Sequence, residues 1–463
     1  MSLPPHIKRF IPPVVSLAMF MESVDATIIN TAIPAMSRSL HVVPIDLKIA
    51  LISYLLSLAI FIPVSGWLAD KFGIKKIFIL ALGVFTLSSI ACGFSNNLWE
   101  LVMARTCQGL GGSLMTPLGR LMIVRWFERT EFIQTMNRVI ILALIGPALG
   151  PFLGGWITQT FSWRWIFWIN VPFGILNILL AVYLLPEERA DKSPPLDKRG
   201  FLLFGLGLAG FTFGLSALSE SEVSLFVTTA IILISLTLLL LYIFHARHQL
   251  FPVLHTALFR LRTFRVSIAG NLLTRAAFSG MPFLLPLMLQ LSLDYSPSVS
   301  GMMVATLAIG AMLVKSFSRR LIMYTGFRRL LLINTILLGL SLLLFATITV
   351  NTSVWCIGLY GLIFGFLMSL QFSAVNPLAF AEIPPEELSN ATSIHSVTLQ
   401  LAQSFGVALC ALILKHAGSM SDNHSLTLNA FHHTFLIISL LTVLSTAVFL
   451  LLKKEDGANL ISH

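Results

Sequence analysis

Charge is scarce in this sequence. Of its 463 residues only 11% are Asp, Glu, Lys or Arg, against about 25% in an ordinary soluble domain. That deficit excludes a water-soluble globular protein of this length. Cysteine is scarce as well: the four present, Cys92, Cys107, Cys356 and Cys410, all fall inside apolar runs without metal-ligand spacing. They read as small buried hydrophobes and argue against a disulfide framework or a metal site. No Gly-x-x-x-x-Gly-Lys-Ser/Thr loop occurs, which argues against ATP-driven work by this chain. Neither His-Glu-x-x-His nor Gly-x-Ser-x-Gly is present, and no loop carries paired catalytic carboxylates, so a membrane-embedded enzyme is not expected.

What fills the chain is apolar. Hydrophobic residues make up 56% and mean hydropathy is +0.88, in repeated runs near the length of about 20 that crosses a bilayer as a helix. About fourteen spans are read by hydropathy, at 11–35, 46–69, 76–95, 99–124, 136–159, 165–186, 200–219, 223–246, 266–291, 298–318, 329–350, 353–380, 389–415 and 429–452. The remainder forms short loops, with no room for an extramembrane domain. The first run is long and contains acids, and it lacks a small-residue cleavage site, so a cleaved signal peptide is not expected.

The net charge of +10 would suit nucleic acid, but the placement of the charges explains it otherwise. With the N-terminus inside, the inner segments hold about 22 Lys and Arg against about four outside, namely Arg38, Lys48, Arg164 and Lys415. Both termini are therefore expected in the cytoplasm, and no nucleic-acid partner is expected. The two longest inner connections are 187–199, with Ser193-Pro194-Pro195, and 247–265. The second mixes Leu and Phe with Arg and reads as a short amphipathic helix at the interface. An internal echo supports a two-part chain: Phe72-Gly73-Ile74-Lys75-Lys76 between spans two and three is matched by Thr325-Gly326-Phe327-Arg328-Arg329 between spans ten and eleven.

Glu22 and Asp25 are the only acids well inside any span. A charge at the bilayer centre costs about 2.5–3.5 kcal/mol on the mildest scale, so such groups usually mark a pathway or proton relay. Three residues apart, the two share a helix face and disfavour joint ionisation. Asp25 lies about nine residues from the outer end of its span and Arg105 about seven from that of span four, so both sit roughly 10–14 Å deep and can pair. A static buried pair is the alternative. Four cations lie within spans, Arg105, Arg120, Arg275 and Lys315. Arg120 and Lys315 lie near inner ends, where they can snorkel. Arg275 lies nearer the middle with no obvious acid partner in its own half; it either attracts anionic groups or bonds carbonyls. His395 reads as a hydrogen-bonded histidine, with a secondary proton site as the alternative.

Five motifs add a resemblance. Gly66-Trp-Leu-Ala-Asp70-Lys-Phe-Gly73-Ile-Lys75-Lys76 resembles the signature loop of the major facilitator superfamily, an acid with clustered bases at a helix end that can latch and release. Arg105-Thr-Cys-Gln108-Gly109-Leu-Gly111-Gly112 resembles its buried-arginine motif. Gly146-Pro147-Ala-Leu-Gly150-Pro151-Phe-Leu-Gly154-Gly155 resembles its antiporter motif. The stretches Val24-Asp25-Ala-Thr27-Ile28-Ile29-Asn30-Thr-Ala32-Ile-Pro34 and Trp163-Arg164-Trp165-Ile166-Phe167-Trp168-Ile169-Asn170-Val171-Pro172 resemble signatures of its fourteen-helix drug:proton antiporter branch. Two departures stand out. Met323 takes the place of Asp70 in the second-half echo, and Ala402 and Gln403 stand where a glycine-richer stretch is usual, which weakens the case for close helix packing there.

The resemblance implies an all-α integral membrane protein of the major facilitator fold: two pseudo-symmetric six-helix bundles, 1–186 and 266–463, joined by 187–265 with two inserted helices. It implies a proton-coupled antiporter in the bacterial inner membrane, exporting amphiphilic small molecules by alternating access. Asp25, Glu22 and Arg105 would couple the proton, while Asn30, Gln108, Asn271, Arg275 and Gln403 would line the substrate cavity. Asp70, Gly66, Gly73, Lys75 and Lys76 would gate. The proton would be the coupling ion with no cofactor, and the protein would act as a monomer in the lipid bilayer. Arg275 and Lys315 favour an alternative, export of an anionic, siderophore-like metabolite. A channel is the remaining rival, against which the glycine-rich antiporter-like motif argues.

Overall fold

The computed structural model describes residues 8–189, 195–218, 223–419 and 426–461, without the side chains of Arg129, Thr130, Phe132, Ile133 and Asn137. Among these residues every regular element is a helix. Ser193 and Pro194 of the first long connection lie outside the described residues.

Among the described residues thirteen helices are long and apolar enough to cross a membrane, and the chain is a multi-pass membrane protein. They include α1 (Ile11–Thr31), α2 (Pro44–Phe72) and α3 (Ile74–Phe94). Next comes α4 (Leu98–Trp126), 29 residues long and thus of spanning length, yet the expected span that is not among the thirteen. Glu100, Arg105, Gln108, Arg120 and Arg125 dilute its apolar character. The helix that fails on composition is the one that brings most of the buried chemistry. After it come α5 (Arg129–Thr160), α6 (Trp165–Leu184), α7 (Lys198–Ala217) and α8 (Leu225–Ala246). The chain ends with α9 (Arg262–Leu291), α10 (Pro297–Ser316), α11 (Phe327–Phe345), α12 (Val354–Phe380), α13 (Leu388–Ser419) and α14 (Leu428–Phe449).

The chain divides into two compact units, Met1–Asp197 with Ser296–Gly301, and Lys198–Tyr295 with Met302–His463. In the first, α1 packs on α4, α5 and α6, and α3 packs on α4 and α6. In the second, α9 packs on α12, α13 and α14, and α11 packs on α12 and α14. The pairings correspond one to one. The echo between spans is equally literal in the backbone. A 3-10 turn, Ile62–Val64, leads to the short helix Ser65–Phe72 and then to Gly73 at φ +96°; Val314–Ser316 leads to Ser318–Thr325 and Gly326 at φ +72°. A left-handed φ at the joint between two helices is what glycine supplies without steric cost.

Small residues set the helix spacing. A Cβ on Gly146, Gly150 or Gly154 of α5 would lie 2.6, 2.1 or 2.3 Å from Ser23 Cβ, Thr27 Oγ1 or the Ile28 carbonyl of α1. Spaced by four, the three glycines form one stripe on which α1 lies. Pro147 and Pro151, between them, each withhold a backbone donor from α5, and Thr31 Oγ1 donates to the Pro151 carbonyl at 3.3 Å. In the second unit α13 approaches α9 just as closely, contrary to the expectation from Ala402 and Gln403. Ala402 is wholly buried with its carbonyl bonded by Ser279 Oγ at 3.1 Å, and a Cβ on Gly406 would meet that hydroxyl at 2.1 Å. Alanine is small enough to keep the contact, and Gly406 carries the tightest point.

The inserted pair α7 and α8 pack on each other, and α7 rests on α13, where Phe211 and Phe405 meet edge-on at 5.5 Å. The connection after α8 holds no amphipathic helix. It has one 3-10 turn, Thr256–Arg260, and Tyr242 Oη takes the Leu254 amide at 2.8 Å, tying the segment back to α8.

Candidate functional site

Five of the six helices in the first unit send a side chain to one buried point. Asp25 of α1 and Arg105 of α4 are both wholly buried, and Arg105 Nη1 donates to Asp25 Oδ2 at 2.6 Å. The other carboxylate oxygen, Oδ1, accepts from Gln108 Nε2 at 2.8 Å and from Asn170 Nδ2 of α6 at 2.9 Å. Gln108 is engaged at both ends: its Oε1 accepts from the same Arg105 Nη1 at 2.7 Å, and its Nε2 also donates to Ser89 Oγ of α3 at 2.7 Å. Tyr54 of α2 lays its ring 4.1 Å from the guanidinium carbon of Arg105.

Local helix geometry explains the convergence. Arg105 and Gln108 are three apart on α4 and therefore share a face. Next to them Gly109 and Gly111 admit neighbours: a Cβ there would stand 2.6 Å from the Tyr54 carbonyl and 2.7 Å from the Phe85 amide nitrogen. The absence of side chains at these positions draws α2 and α3 onto α4 and seals the charge pair from solvent. A charge-assisted contact of this length in a dry interior is strong, whereas removing one partner leaves a bare charge and costs about 3–5 kcal/mol.

Glu22 takes a different partner. It is half-buried and accepts a hydrogen bond from Thr116 Oγ1 of α4, about two turns beyond Gln108. Although the two acids share a helix face in sequence, the structure gives them separate donors.

At the end of the unit where α4 finishes, Asp70 pairs with Arg125, and Arg125 Nη1 also lies 3.9 Å from Glu188 Oε1. Trp126 Nε1 donates to Glu188, and the Glu188 carbonyl accepts the Ile74 amide at 3.1 Å. The signature loop is thus closed by residues of the last turn of α4 and by one that follows α6. Lys75 and Lys76 make no ion pair with Asp70, and Lys71, the base next to it in sequence, stacks on Trp67 instead. Gly66 has open space around it, and Gly73 holds the turn.

Of the remaining expected residues, Gln108 belongs to the Asp25 network and is wholly buried, so it does not line open space. Asn30 bonds locally to the Thr27 carbonyl at 3.2 Å. Gly155 sits beside Gly154 but off the stripe that meets α1. In the second unit Asn271 Nδ2 donates to Asn376 Oδ1 at 3.3 Å, Gln403 is half-buried, and Arg275 stacks on Phe372 with its guanidinium carbon 3.6 Å from the ring centre. Arg120 and Lys315 are exposed, and His395 is buried with its ring against Phe380 at 5.5 Å. Sequence reasoning missed Asn170, Ser89, Tyr54, Arg125 and Glu188 as participants. Asn170 had a signal, a polar residue inside the aromatic stretch that opens α6; the others had none.

The profile of the Major Facilitator Superfamily matches residues 15–267 and again 267–461. Among relatives with provisional names, a transport protein HsrA of Haemophilus influenzae is 37% identical over 450 residues, 96% of each chain. A multidrug resistance protein MdtD of Escherichia coli O157:H7 is 34% identical over 448 residues, 96% of this chain and 95% of its own. Among solved structures, the POT family transporter PepTSo superposes with a TM-score of 0.74 at 14% identity, covering 96% of this chain and 97% of that one. The nucleoside transporter NupG gives 0.67 at 13% identity, covering 96% and 100%. At these identities the two structures speak to the fold.

Proposed function

The chain belongs to the major facilitator superfamily and is a transporter rather than an enzyme, and we propose that it is a proton-coupled exporter of small amphiphilic molecules. The observation that carries this reading is the wholly buried Asp25–Arg105 pair. Burying two charges is costly, and a well-packed apolar pair is often equal or better for stability. A titratable ion pair held inside spanning helices is therefore better explained as a switch than as a brace.

The coupling step uses only groups in the network. A proton arriving on Asp25 cancels its charge, and the Arg105 guanidinium loses its counter-ion. Gln108 and Asn170, which donate to the same oxygen, must then share it or turn away. Because these side chains come from α1, α4 and α6, with Ser89 of α3 and Tyr54 of α2 behind them, a change at one carboxyl reaches five helices. Export of one molecule accompanies proton entry, and loss of the proton to the cytoplasm resets the pair. Glu22, with its single hydroxyl donor, serves as a neighbouring acceptor along the same helix. The Asp70–Arg125–Glu188 cluster acts as the latch that α2, α4 and α6 must release during the cycle. The Lys and Arg bias supports cytoplasmic termini, in the inner membrane of a bacterium.

The test is direct. In liposomes holding the purified protein and a pH-sensitive dye, a transported amphiphile should move protons in fixed ratio to its own flux. Collapsing the gradient with a protonophore should stop accumulation. Accumulation that persists unchanged after collapse would overturn the coupling.

A further inference from the structure

The second unit contains a buried cation without a counter-charge. Arg275 is 9% exposed and lies near the middle of α9, roughly 20 Å or more from either end at 1.5 Å per residue. No acid occurs in α7 to α14 away from their ends. Among the described residues no hydrogen bond or ion pair engages the guanidinium; Nε is buried without an acceptor. Its one close partner is the face of Phe372 on α12. Stacking covers the face of a guanidinium and leaves the donors in its plane free.

The neighbours extend the same arrangement. Asn271 precedes Arg275 by four residues on α9, and Asn376 follows Phe372 by four on α12, so two pairs on facing helices stand opposite each other. Asn271 donates to Asn376 Oδ1 at 3.3 Å, which leaves the Asn376 amide donors without an acceptor among the described residues. Phe278 flanks Phe372 at 5.9 Å and supplies apolar surface. The cluster therefore offers guanidinium donors, an amide donor and aromatic faces, and it contains no negative group.

We propose that Arg275, with Asn376 beside it and Phe372 behind it, binds the anionic group of the transported molecule, a carboxylate or sulfonate on an apolar or aromatic body. This rests on the exporter reading and narrows its substrate class to amphiphilic organic anions. A Lys would not serve equally, because only the planar guanidinium stacks on Phe372 and presents parallel donors to a carboxylate. The depth of Arg275 sets it far from lipid phosphates at the bilayer surface.

The experiment measures binding at equilibrium, without a gradient, so that failure of proton coupling leaves its readout intact. Purified full-length protein in phosphatidylcholine nanodiscs is dialysed against labelled 2-naphthoate and, separately, 2-naphthylmethylammonium, two probes of like size and opposite charge. The wild type should prefer the anion. Arg275→Gln should weaken naphthoate by about ten- to a hundredfold, the worth of a hydrogen bond to a charged group, and leave the cation equal or tighter. Arg275→Lys should keep the preference at reduced affinity. Asn376→Leu, which leaves the buried charge in place, should weaken the anion by about three- to tenfold; it keeps the question open to test if the glutamine variant does not fold. A wild type indifferent to probe charge would overturn the proposal, as would equal loss of both probes in folded Arg275→Gln together with no effect of Asn376→Leu. Repeating the assay in phosphatidylglycerol nanodiscs separates the source of the anion. If naphthoate binding vanishes there and the headgroup competes at Arg275, the site holds lipid and the substrate assignment falls.

Discussion

The two units of this molecule repeat one another in helix packing and oppose one another in charge. Glu22 and Arg275 stand the same number of residues before Gly73 and Gly326, the two left-handed glycines that join corresponding helices. At that matched position the first unit carries an acid and the second a base. The first unit then answers its buried charges internally: Arg105, Gln108 and Asn170 surround Asp25. Among the described residues the second unit answers Arg275 only with an aromatic face, and a further buried polar cluster, Gln371 with Asn334 and Thr335, is neutral. The shared scaffold depends on small residues where helices cross, which constrain volume and are indifferent to charge. A few side chains placed on that scaffold can therefore give its two copies different chemistry.

Breaking the internal answer should have the largest effect. Asp25→Asn keeps the shape of the side chain but removes the titratable group, so proton-driven transport should fall to the level of protein-free liposomes. It also strands Arg105, at a stability cost of about 3–5 kcal/mol. The double variant Asp25→Asn with Arg105→Gln should regain much of that stability and none of the transport. Thermal unfolding and flux, measured side by side, check both halves of the statement. Full transport by Asp25→Asn would remove the basis for the contrast between the units.

The scaffold can be probed at two corresponding crossings, α1 on α5 and α9 on α13. Gly154→Ala puts a methyl 2.3 Å from the Ile28 carbonyl, which is backbone and cannot step aside. Gly406→Ala meets Ser279 Oγ at 2.1 Å, a side chain that can rotate, with the Ala276 carbonyl behind it at 3.0 Å. Overpacking costs about 1–3 kcal/mol; Gly154→Ala should fall at the upper end and Gly406→Ala at the lower. Equal loss of thermal stability would show that the crossings are alike in give as well as in spacing.

The latch offers a smaller contrast. Asp70 and Arg125 are partly exposed, so their pair is worth about 1 kcal/mol at most. Asp70→Asn should slow turnover while leaving affinity nearly unchanged, whereas Met323→Asn at the matching place in the second unit should do little. A change confined to affinity would contradict the latch. Smallest of all is Glu22→Gln, which can still accept from Thr116; a reduction in rate of about fivefold or less is expected.

Much of the architecture was legible in the sequence because it follows from local quantities. Hydropathy over a window locates a span, and glycines at intervals of four locate a helix contact. An acid in an apolar run is conspicuous because burial makes it costly. The same logic placed Arg105 opposite Asp25 by depth alone. It failed at 247–265, where mixed Leu, Phe and Arg suggested an amphipathic helix and Tyr242 instead ties down an irregular segment. It also failed at Ala402, because a glycine count does not reveal that one glycine, Gly406, is enough.

By itself, then, the sequence determined a chain of membrane-crossing helices in two related parts, with its rare buried charges already at known depths. Only the tertiary structure decided what those charges touch. Asp25 meets Asn170 across 145 positions of sequence and Gln108 across 83, and Asp70 chooses Arg125, 55 positions away, over its neighbouring lysines. Periodicity assigns a residue to a face of its own helix, but the rotation and height of a second helix against that face come from how side chains interlock along the whole crossing. That is why the acids could be found in the sequence, while the closed network around Asp25 and the unanswered cation at Arg275 could be recognised only once the helices had been packed.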